Sequence, residues 1–158
     1  MRLELDACVL RSWEPGDAES LARHADSREI WHNLRDGFPH PYHLEDAVAF
    51  IGRCREAEPQ TNFAIDVEGQ AVGAIGLILG VDVQRISAEV GYWLGKEYWG
   101  KGIMTQALTA FRDYAIEHHS LTRLHARTYD WNPGSARVLE KSGFECEGRL
   151  RRSALKDG

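Results

Sequence analysis

Two glycines one residue apart, Gly100 and Gly102, separate a short aromatic segment from an amphipathic one. The aromatic segment, Glu89 to Leu94, is rich in Val, Tyr and Trp and predicts a strand. After the glycines, apolar residues recur at intervals of three and four and predict a helix: Ile103, Met104, Ala107, Leu108, Phe111, Tyr114 and Ala115. A strand, a glycine loop and a helix in this order aim unpaired backbone N–H groups and the positive end of the helix dipole at one point. With Lys101 adding a positive charge, the sequence predicts a phosphate-binding loop.

The same glycine spacing also occurs in ordinary strand-to-helix turns. It does not fit a Walker loop, because no Gly-Lys-Ser/Thr follows at the required distance. Nor does it fit a Rossmann fingerprint, because residue 105 is threonine where a third glycine is needed. An enzyme acting on nucleotide phosphates is therefore a weaker alternative, and the sequence shows no carboxylate pair for Mg²⁺.

A second polar segment, Asn132 to Phe144, begins with Asn-Pro-Gly-Ser and ends with Lys-Ser-Gly-Phe. Between these ends, Ala136, Val138 and Leu139 share one side of a predicted helix. Asn132 and Ser135 could cap the start of this helix, and Gly143 could end it.

Both segments resemble motifs of the GNAT N-acetyltransferases. The glycine loop is similar to their pyrophosphate-binding motif, Gln/Arg-x-x-Gly-x-Gly/Ala, with Glu97 in place of Gln or Arg. Gly-Tyr-Trp-Leu before the loop and Trp-Gly-Lys-Gly within it resemble the branch typified by the ribosomal-protein acetyltransferases RimJ and RimL, as does Asn-x-x-Ser...Lys-x-Gly-Phe. The resemblance runs from about Leu10 to Arg152 and predicts one domain over residues 1–158.

This resemblance implies a fold, a co-substrate and a set of contacts. The fold would be α/β (α+β), with a mixed, mainly antiparallel, twisted sheet that is flanked by helices and splayed at its centre. The co-substrate would be acetyl-CoA, and an amine would attack it directly in a ternary complex. The implied coenzyme contacts are Tyr92, Trp93, Leu94, Gly100, Lys101, Gly102, Ile103, Met104, Thr105, Asn132 and Ser135.

Acyl transfer to an amine also needs groups that move protons. An α-amine has a pKa near ~8 and a lysine near ~10.4, so a base assists attack. Glu89 is the candidate base, since it shares a strand face with Gly91, which leaves room beside it; a solvated or ion-paired Glu89 is the alternative. Ser135 could donate a hydrogen bond to the departing thiolate, with Tyr129 as a rival donor. A backbone N–H of the same strand, such as that of Val90, would stabilise the oxyanion.

The acceptor side is predicted in the segment from Leu34 to His43, which Gly37, Pro39 and Pro41 keep irregular. Phe38 and Tyr42, together with Trp31 just before, are candidate substrate contacts on an exposed loop. The alternative is that this loop packs its own aromatic residues. A protein N-terminus, an amino acid, an aminoglycoside or a polyamine all remain open as acceptors. A non-catalytic acyl-CoA-binding sensor or scaffold of the same fold is a further alternative.

The rest of the chain supplies the elements that must position these residues. Strands are predicted for Cys8–Trp13, Phe63–Val67, Ala71–Leu79, Leu121–Tyr129 and Phe144–Leu155, and helices for the segment after Asp17, for Ser27–Asn33 and for Leu44–Ala57. In the RimJ/RimL branch, Lys156-Asp157-Gly158 would be the turn before one more strand. Two alternatives follow: the final strand lies in a disordered C-terminal segment beyond this sequence, or the sheet lacks it. A missing strand would expose an edge that a second copy could cover in a homodimer.

Composition narrows the function classes. The 158 residues are 43% hydrophobic and 27% charged with a net charge of -5, which gives no general attraction to nucleic acid or to an anionic membrane. Without a signal sequence or an apolar run of about 18 residues, the chain is predicted to be cytoplasmic. Three cysteines, and the histidines at 40 and 43, lack the spacing of a metal site, so no metal is predicted.

Overall fold

A computed structural model describes residues 1–158. Its six strands form one sheet in chain order: β1 (Arg2–Glu4), β2 (Val9–Arg11), β3 (Asn62–Val67), β4 (Gln70–Leu79), β5 (Ser87–Leu94) and β6 (Arg123–His125). Five helices accompany it: α1 (Ala18–Ala25), α2 (Arg28–His32), α3 (Leu44–Glu56), α4 (Ile103–His118) and α5 (Pro133–Lys141). All neighbouring strands are antiparallel except β5 and β6, which are parallel. The predicted mixed, mainly antiparallel α/β fold is confirmed.

The helices cover the two faces of the sheet with two separate cores. Alternation along β3 shows the division, because Phe63 and Ile65 belong to the core under α4 whereas Ala64 belongs to the core under α1 and α3. On β5, Val90 faces the α4 core and Trp93 packs against the opposite one. Consecutive side chains of β5 therefore point into different layers.

The sheet opens between its two parallel strands. Pairing of β5 with β6 covers only three positions, the last of which is Glu89 opposite His125. β5 continues to Leu94 and stays paired with β4 over that length. Beyond Glu89, one edge of β5 has no partner strand, which confirms the predicted central splay.

A buried ion cluster joins β2, β3 and the start of α1 on the side of the sheet opposite to α4. The guanidinium of Arg11 on β2 donates to both carboxylate oxygens of Asp17 at 2.8 Å and to Asp66 on β3 at 2.7 Å. All three side chains are nearly inaccessible to solvent. A buried charge is tolerated only when it is paired, so this cluster fixes the start of α1 against the sheet.

Two strand predictions differ from the structure. Phe144–Leu155 forms no strand, and the Leu121–Tyr129 strand is reduced to the three residues of β6. An apolar strand is stable only when it pairs with a neighbouring strand and packs against a hydrophobic core. Leu150 and Leu155 do neither, since their segment pairs with no strand and both side chains are exposed. β1 was not predicted, although Leu3 within it and Leu5 just after it alternate with charged residues. None of the helices is both long and apolar enough to cross a membrane.

Candidate active site

The glycine loop has the geometry that its residue types predict. Gly100 has a φ of 72° and Gly102 a φ of 77°, the left-handed region that side-chain-bearing residues rarely adopt. Gly102 immediately precedes α4, a helix of 16 residues. No protein atom lies within 4 Å of a Cβ built on either glycine, so the space above the loop is open.

The backbone N–H groups of this loop are free. None of those from Gly100 to Thr105 donates a hydrogen bond to another protein atom, and the first paired amide is that of Gln106, which donates to Gly102 O at 3.1 Å. Free donors at the positive end of a long helix form an anion site. Ile103 and Met104 have buried side chains, so only their backbone can contribute. Lys101 is exposed, with its Nζ 5.3 Å from the ring centroid of Tyr98.

The open edge of β5 leads from the loop toward Glu89. At one end of this edge, Ile86 O accepts a hydrogen bond from Thr122 N. At the other end, Leu94 O accepts one from Trp99 Nε1 at 2.7 Å. Because peptide groups of alternate residues face the same edge of a strand, those of Val90 and Tyr92 face this edge as well. The register of Glu89 with His125 pairs the Val90 N–H with the carbonyl of His125, so the Val90 carbonyl and the Tyr92 peptide are the groups that face the gap. The carbonyl of Leu94 is already occupied.

Glu89 lies at the inner end of this edge and is held by two arginines. Its side chain is 16% exposed, and its Oε1 accepts from Arg35 Nη2 at 2.5 Å. Arg127 Nε lies 3.7 Å from Oε2, which accepts no hydrogen bond from protein. A Cβ built at Gly91 would meet no atom within 4 Å, which confirms the predicted free space beside Glu89.

Two hydroxyl groups meet on the opposite face of β5. Tyr92 Oη and Ser135 Oγ are 2.8 Å apart. Burial raises the pKa of Tyr92, and its hydrogen bond with Ser135 offsets part of this rise. Asn132 Oδ1 accepts from Ser135 N at 3.2 Å and caps α5, so the helix-cap role is confirmed. Tyr129 instead stacks on Trp131, with 4.5 Å between ring centroids, and makes no hydrogen bond to Ser135.

The candidate acceptor aromatics divide into two groups. Phe38 packs against Tyr42 and, at 5.8 Å between ring centroids, against Trp93 of β5. Tyr42 is buried, so the expectation that all these aromatics are exposed is wrong for it: its ring fills the core under α1 and α3. Trp31 is half-buried, and His40 stacks on it at 5.7 Å between ring centroids.

Three contributors to the site are not predicted by the sequence. Arg35 and Arg127 were not expected beside Glu89, and the hydroxyl of Tyr92 was not expected beside Ser135. These contacts join positions far apart in the chain, so no local spacing predicts them. The alternation of β5 was the one available signal, because it places Tyr92 on the face opposite to Glu89. No group of three or more His, Cys, Asp or Glu side chains is arranged to hold a metal ion.

The fold and the site together define an α/β protein in which a loop of free backbone amides lies beside a splayed sheet. A family model described as "Acetyltransferase (GNAT) domain" matches residues 8–145. The chain belongs to the GNAT acetyltransferase family.

Individual relatives agree with this assignment. "Probable N-acetyltransferase YjcK" of Bacillus subtilis (strain 168) is 37% identical over 91 residues, which make up 58% of this chain and 50% of that protein. The ribosomal protein uS5-alanine N-acetyltransferase of Escherichia coli (strain K12) is 27% identical over 165 aligned positions, covering 100% of this chain and 85% of that protein. RimJ of Mycobacterium smegmatis, solved in complex with CoA-disulfide, superposes with a TM-score of 0.83 at 28% identity, covering 96% of this chain and 76% of that one. The resemblance to the RimJ/RimL branch is confirmed.

Proposed function

We propose that this protein transfers an acetyl group from acetyl-CoA to a primary amine, the α-amine of a protein N-terminus, by direct attack in a ternary complex. The proposal rests mainly on the free backbone amides from Gly100 to Thr105, which lie beside the splayed edge of β5. The uS5-alanine N-acetyltransferase of E. coli supports a protein acceptor, and the CoA-disulfide complex of M. smegmatis RimJ supports a coenzyme A thioester as donor.

The residues present fit this donor. The free amides and the open space above Gly100 and Gly102 suit a diphosphate, and the edge from the Val90 carbonyl to the Tyr92 peptide suits an amide-containing arm. The amide nitrogen of Asn132 donates to no protein atom, so it can donate to the same arm. When bound, acetyl-CoA supplies the activated acyl group and a thiolate leaving group.

The groups that would accept and donate protons lie on the two faces of β5. Glu89 Oε2 accepts no hydrogen bond and can take the proton of the attacking amine, directly or through water. Ser135, hydrogen-bonded to Tyr92, would donate to the departing sulfur from the other face. The peptide N–H of Tyr92 would stabilise negative charge on the carbonyl oxygen, because that of Val90 pairs with β6. The proposed base and the proposed donor thus lie on opposite faces of β5.

The decisive experiment is a free-thiol release assay with acetyl-CoA across peptides and small amines, with mass spectrometry of the products. We expect stoichiometric thiol release and acetylation of the peptide α-amine. Acetylation of small amines alone would refute the protein acceptor. ATP binding in preference to acetyl-CoA would revive a nucleotide-phosphate enzyme.

A specific observation also favours a non-catalytic acyl-CoA sensor, since Arg35 occupies one oxygen of Glu89 and Arg127 lies near the other. The sensor would bind coenzyme A and release no thiol with any amine. Arg35 is well exposed, however, so its guanidinium can leave Glu89 when an acceptor arrives. The transferase is therefore the better-supported function. We infer a cytoplasmic location for it, because newly made N-termini are available there. The homodimer stays a prediction.

A further inference from the structure

Lys156 is packed against α2 and the loop after it, which also carries Arg35, a contact of Glu89. The side chain of Lys156 is only 3% exposed. Its Nζ lies 3.9 Å from the ring centroid of Trp31 and donates to Asp36 Oδ1 at 2.9 Å. The proposed reaction mechanism uses none of these three residues.

Trp31 and Asp36 together have the chemistry of an ammonium-binding site. The face of an indole ring attracts cations, and a carboxylate at the rim fixes the position of the N–H donors. Arg28 also lies over the ring of Trp31, at 5.9 Å from its centroid, so this ring attracts positive charge from two segments. Asp36 is 82% exposed and can be reached from solvent.

Apart from Lys156, the segment around it is held by exposed ion pairs, including Arg123 with Glu147 and Arg149 with Asp130. Residues 145–155 are all exposed and pair with no strand, and Leu150 and Leu155 bury little of their surface. The contact with α2 depends on Lys156 and on an exposed ion pair between Arg28 and Asp157. Exposed ion pairs contribute little to stability, so a ligand with its own cation can displace this segment.

The ammonium site is close to the proposed base along the chain. Arg35, which donates to Glu89, precedes Asp36 directly. One short loop therefore carries both a contact to Glu89 and the carboxylate that holds a cation. At Glu89 the amine must be neutral to attack, whereas at Asp36 a cation must remain charged to bind.

We propose that Trp31 and Asp36 form a subsite for a basic side chain of the acceptor peptide, and that Lys156 occupies it until such a peptide binds. This inference rests on the proposed function, because it assigns a second contact to the same peptide acceptor. Preferred acceptors then carry a lysine or arginine near the N-terminal amine.

Two peptides test the subsite: one begins with serine and has a lysine near its N-terminus, and the other has norleucine in place of that lysine. Binding is measured by titration calorimetry without acetyl-CoA, for the unaltered chain, Lys156→Ala and Lys156→Ala combined with Asp36→Asn. Arg151→Ala is the matched control, since Arg151 is an exposed basic residue of the same segment and makes no ion pair. Circular dichroism verifies that each variant is folded.

We expect Lys156→Ala to strengthen binding of the lysine peptide by about tenfold and to leave the norleucine peptide unchanged. Adding Asp36→Asn should abolish the preference for lysine, and Arg151→Ala should resemble the unaltered chain. Equal affinity of Lys156→Ala for both peptides would overturn the subsite. Acetylation of both peptides with equal KM would also reject it and leave the proposed function intact, whereas selective binding without acetylation would reject only the function.

Discussion

At the residue scale, the pair of hydroxyl groups between β5 and α5 is the most specific chemical feature of the site. Tyr92 is half-buried on the sheet side and Ser135 lies in the first turn of the helix. The Tyr92 hydroxyl reaches both Ser135 Oγ at 2.8 Å and Ser135 O at 3.4 Å, so Ser135 links the two elements. A serine hydroxyl is a weak acid, and a fixed neighbour helps by orienting it. Tyr92 is therefore a positioning residue for Ser135.

The first prediction concerns this pair. Tyr92→Phe removes the hydroxyl and keeps the ring, and we expect kcat to fall by about tenfold, the value of one oriented hydrogen bond. KM for acetyl-CoA should change little. Ser135→Ala should lower kcat further, and the double variant should be no worse than Ser135→Ala alone, because both act through one proton donor. Steady-state thiol release measures all three, and additive losses would contradict the pairing.

The second prediction tests the base. Glu89→Gln keeps the shape of the side chain and removes its ability to accept a proton, so kcat/KM at neutral pH should fall by about a hundredfold. The loss should shrink as the pH rises past the pKa of the acceptor α-amine, near ~8, because the amine then arrives neutral. Glu45→Gln, an exposed glutamate of α3, is the control. Full activity of Glu89→Gln at neutral pH would remove Glu89 from the mechanism.

At the element scale, the loop before α4 depends on backbone conformation more than on side chains. Gly102 has a φ of 77°, and a Cβ built there meets no protein atom. Any effect of an added methyl group must then come from backbone strain and from the space above the loop.

The third prediction follows from this geometry. Gly102→Ala should cost about 1 kcal/mol of stability, the penalty of a left-handed alanine, and should raise KM for acetyl-CoA by about tenfold with a smaller effect on kcat. Gly52→Ala is the matched control, because Gly52 lies in α3 with open space around it, and there alanine should stabilise by about 0.5–1 kcal/mol. Thermal unfolding and acetyl-CoA titrations separate the two effects. An unchanged KM in Gly102→Ala would argue against diphosphate binding at this loop.

The sequence predicts an element well when the residues that determine the element lie close together in the chain, and poorly when they are far apart. The glycine loop and α4 were predicted because their signals, two glycines and a run of regularly spaced apolar residues, lie within about one helix length. Phe144–Leu155 was predicted wrongly because a strand requires a neighbour, and the apolar residues of that segment do not reveal that none is present. The contact between Arg35 and Glu89 spans 54 positions and follows from tertiary structure alone.

At the scale of the whole molecule, the buried cluster around Arg11 ties the start of α1 to two strands. The fourth prediction is that Asp17→Ala destabilises the fold by about 3 kcal/mol, because it leaves a buried guanidinium with one carboxylate instead of two. Glu19→Ala, an exposed acidic residue of the same helix, should change stability by less than about 0.5 kcal/mol. Urea unfolding measures both. Equal stabilities of the two variants would show that the cluster is not needed for stability.

A buried histidine beside the turn at Gly95 predicts how the whole fold responds to acid. His24 on α1 is buried, its Nε2 has no hydrogen-bond partner, and its Nδ1 lies 3.0 Å from a Cβ built at Gly95. Burial, and then the charge of Arg23, lower the pKa of His24 below its ordinary value of 6.5. The folded state therefore binds a proton on His24 less readily than the unfolded state does.

The fifth prediction is the sign and range of this effect. As the pH falls below about 6.5 the unfolded chain binds the proton first, so the free energy of unfolding should decrease, and the decrease should end once the pH passes the lowered pKa of His24 in the fold. His24→Gln should flatten this part of the pH profile, measured by urea unfolding at a series of pH values. His119, whose pKa burial also lowers, supplies a second contribution, and His119→Gln should remove only that part. Parallel profiles for the unaltered chain and His24→Gln would show that His24 does not couple folding to acid.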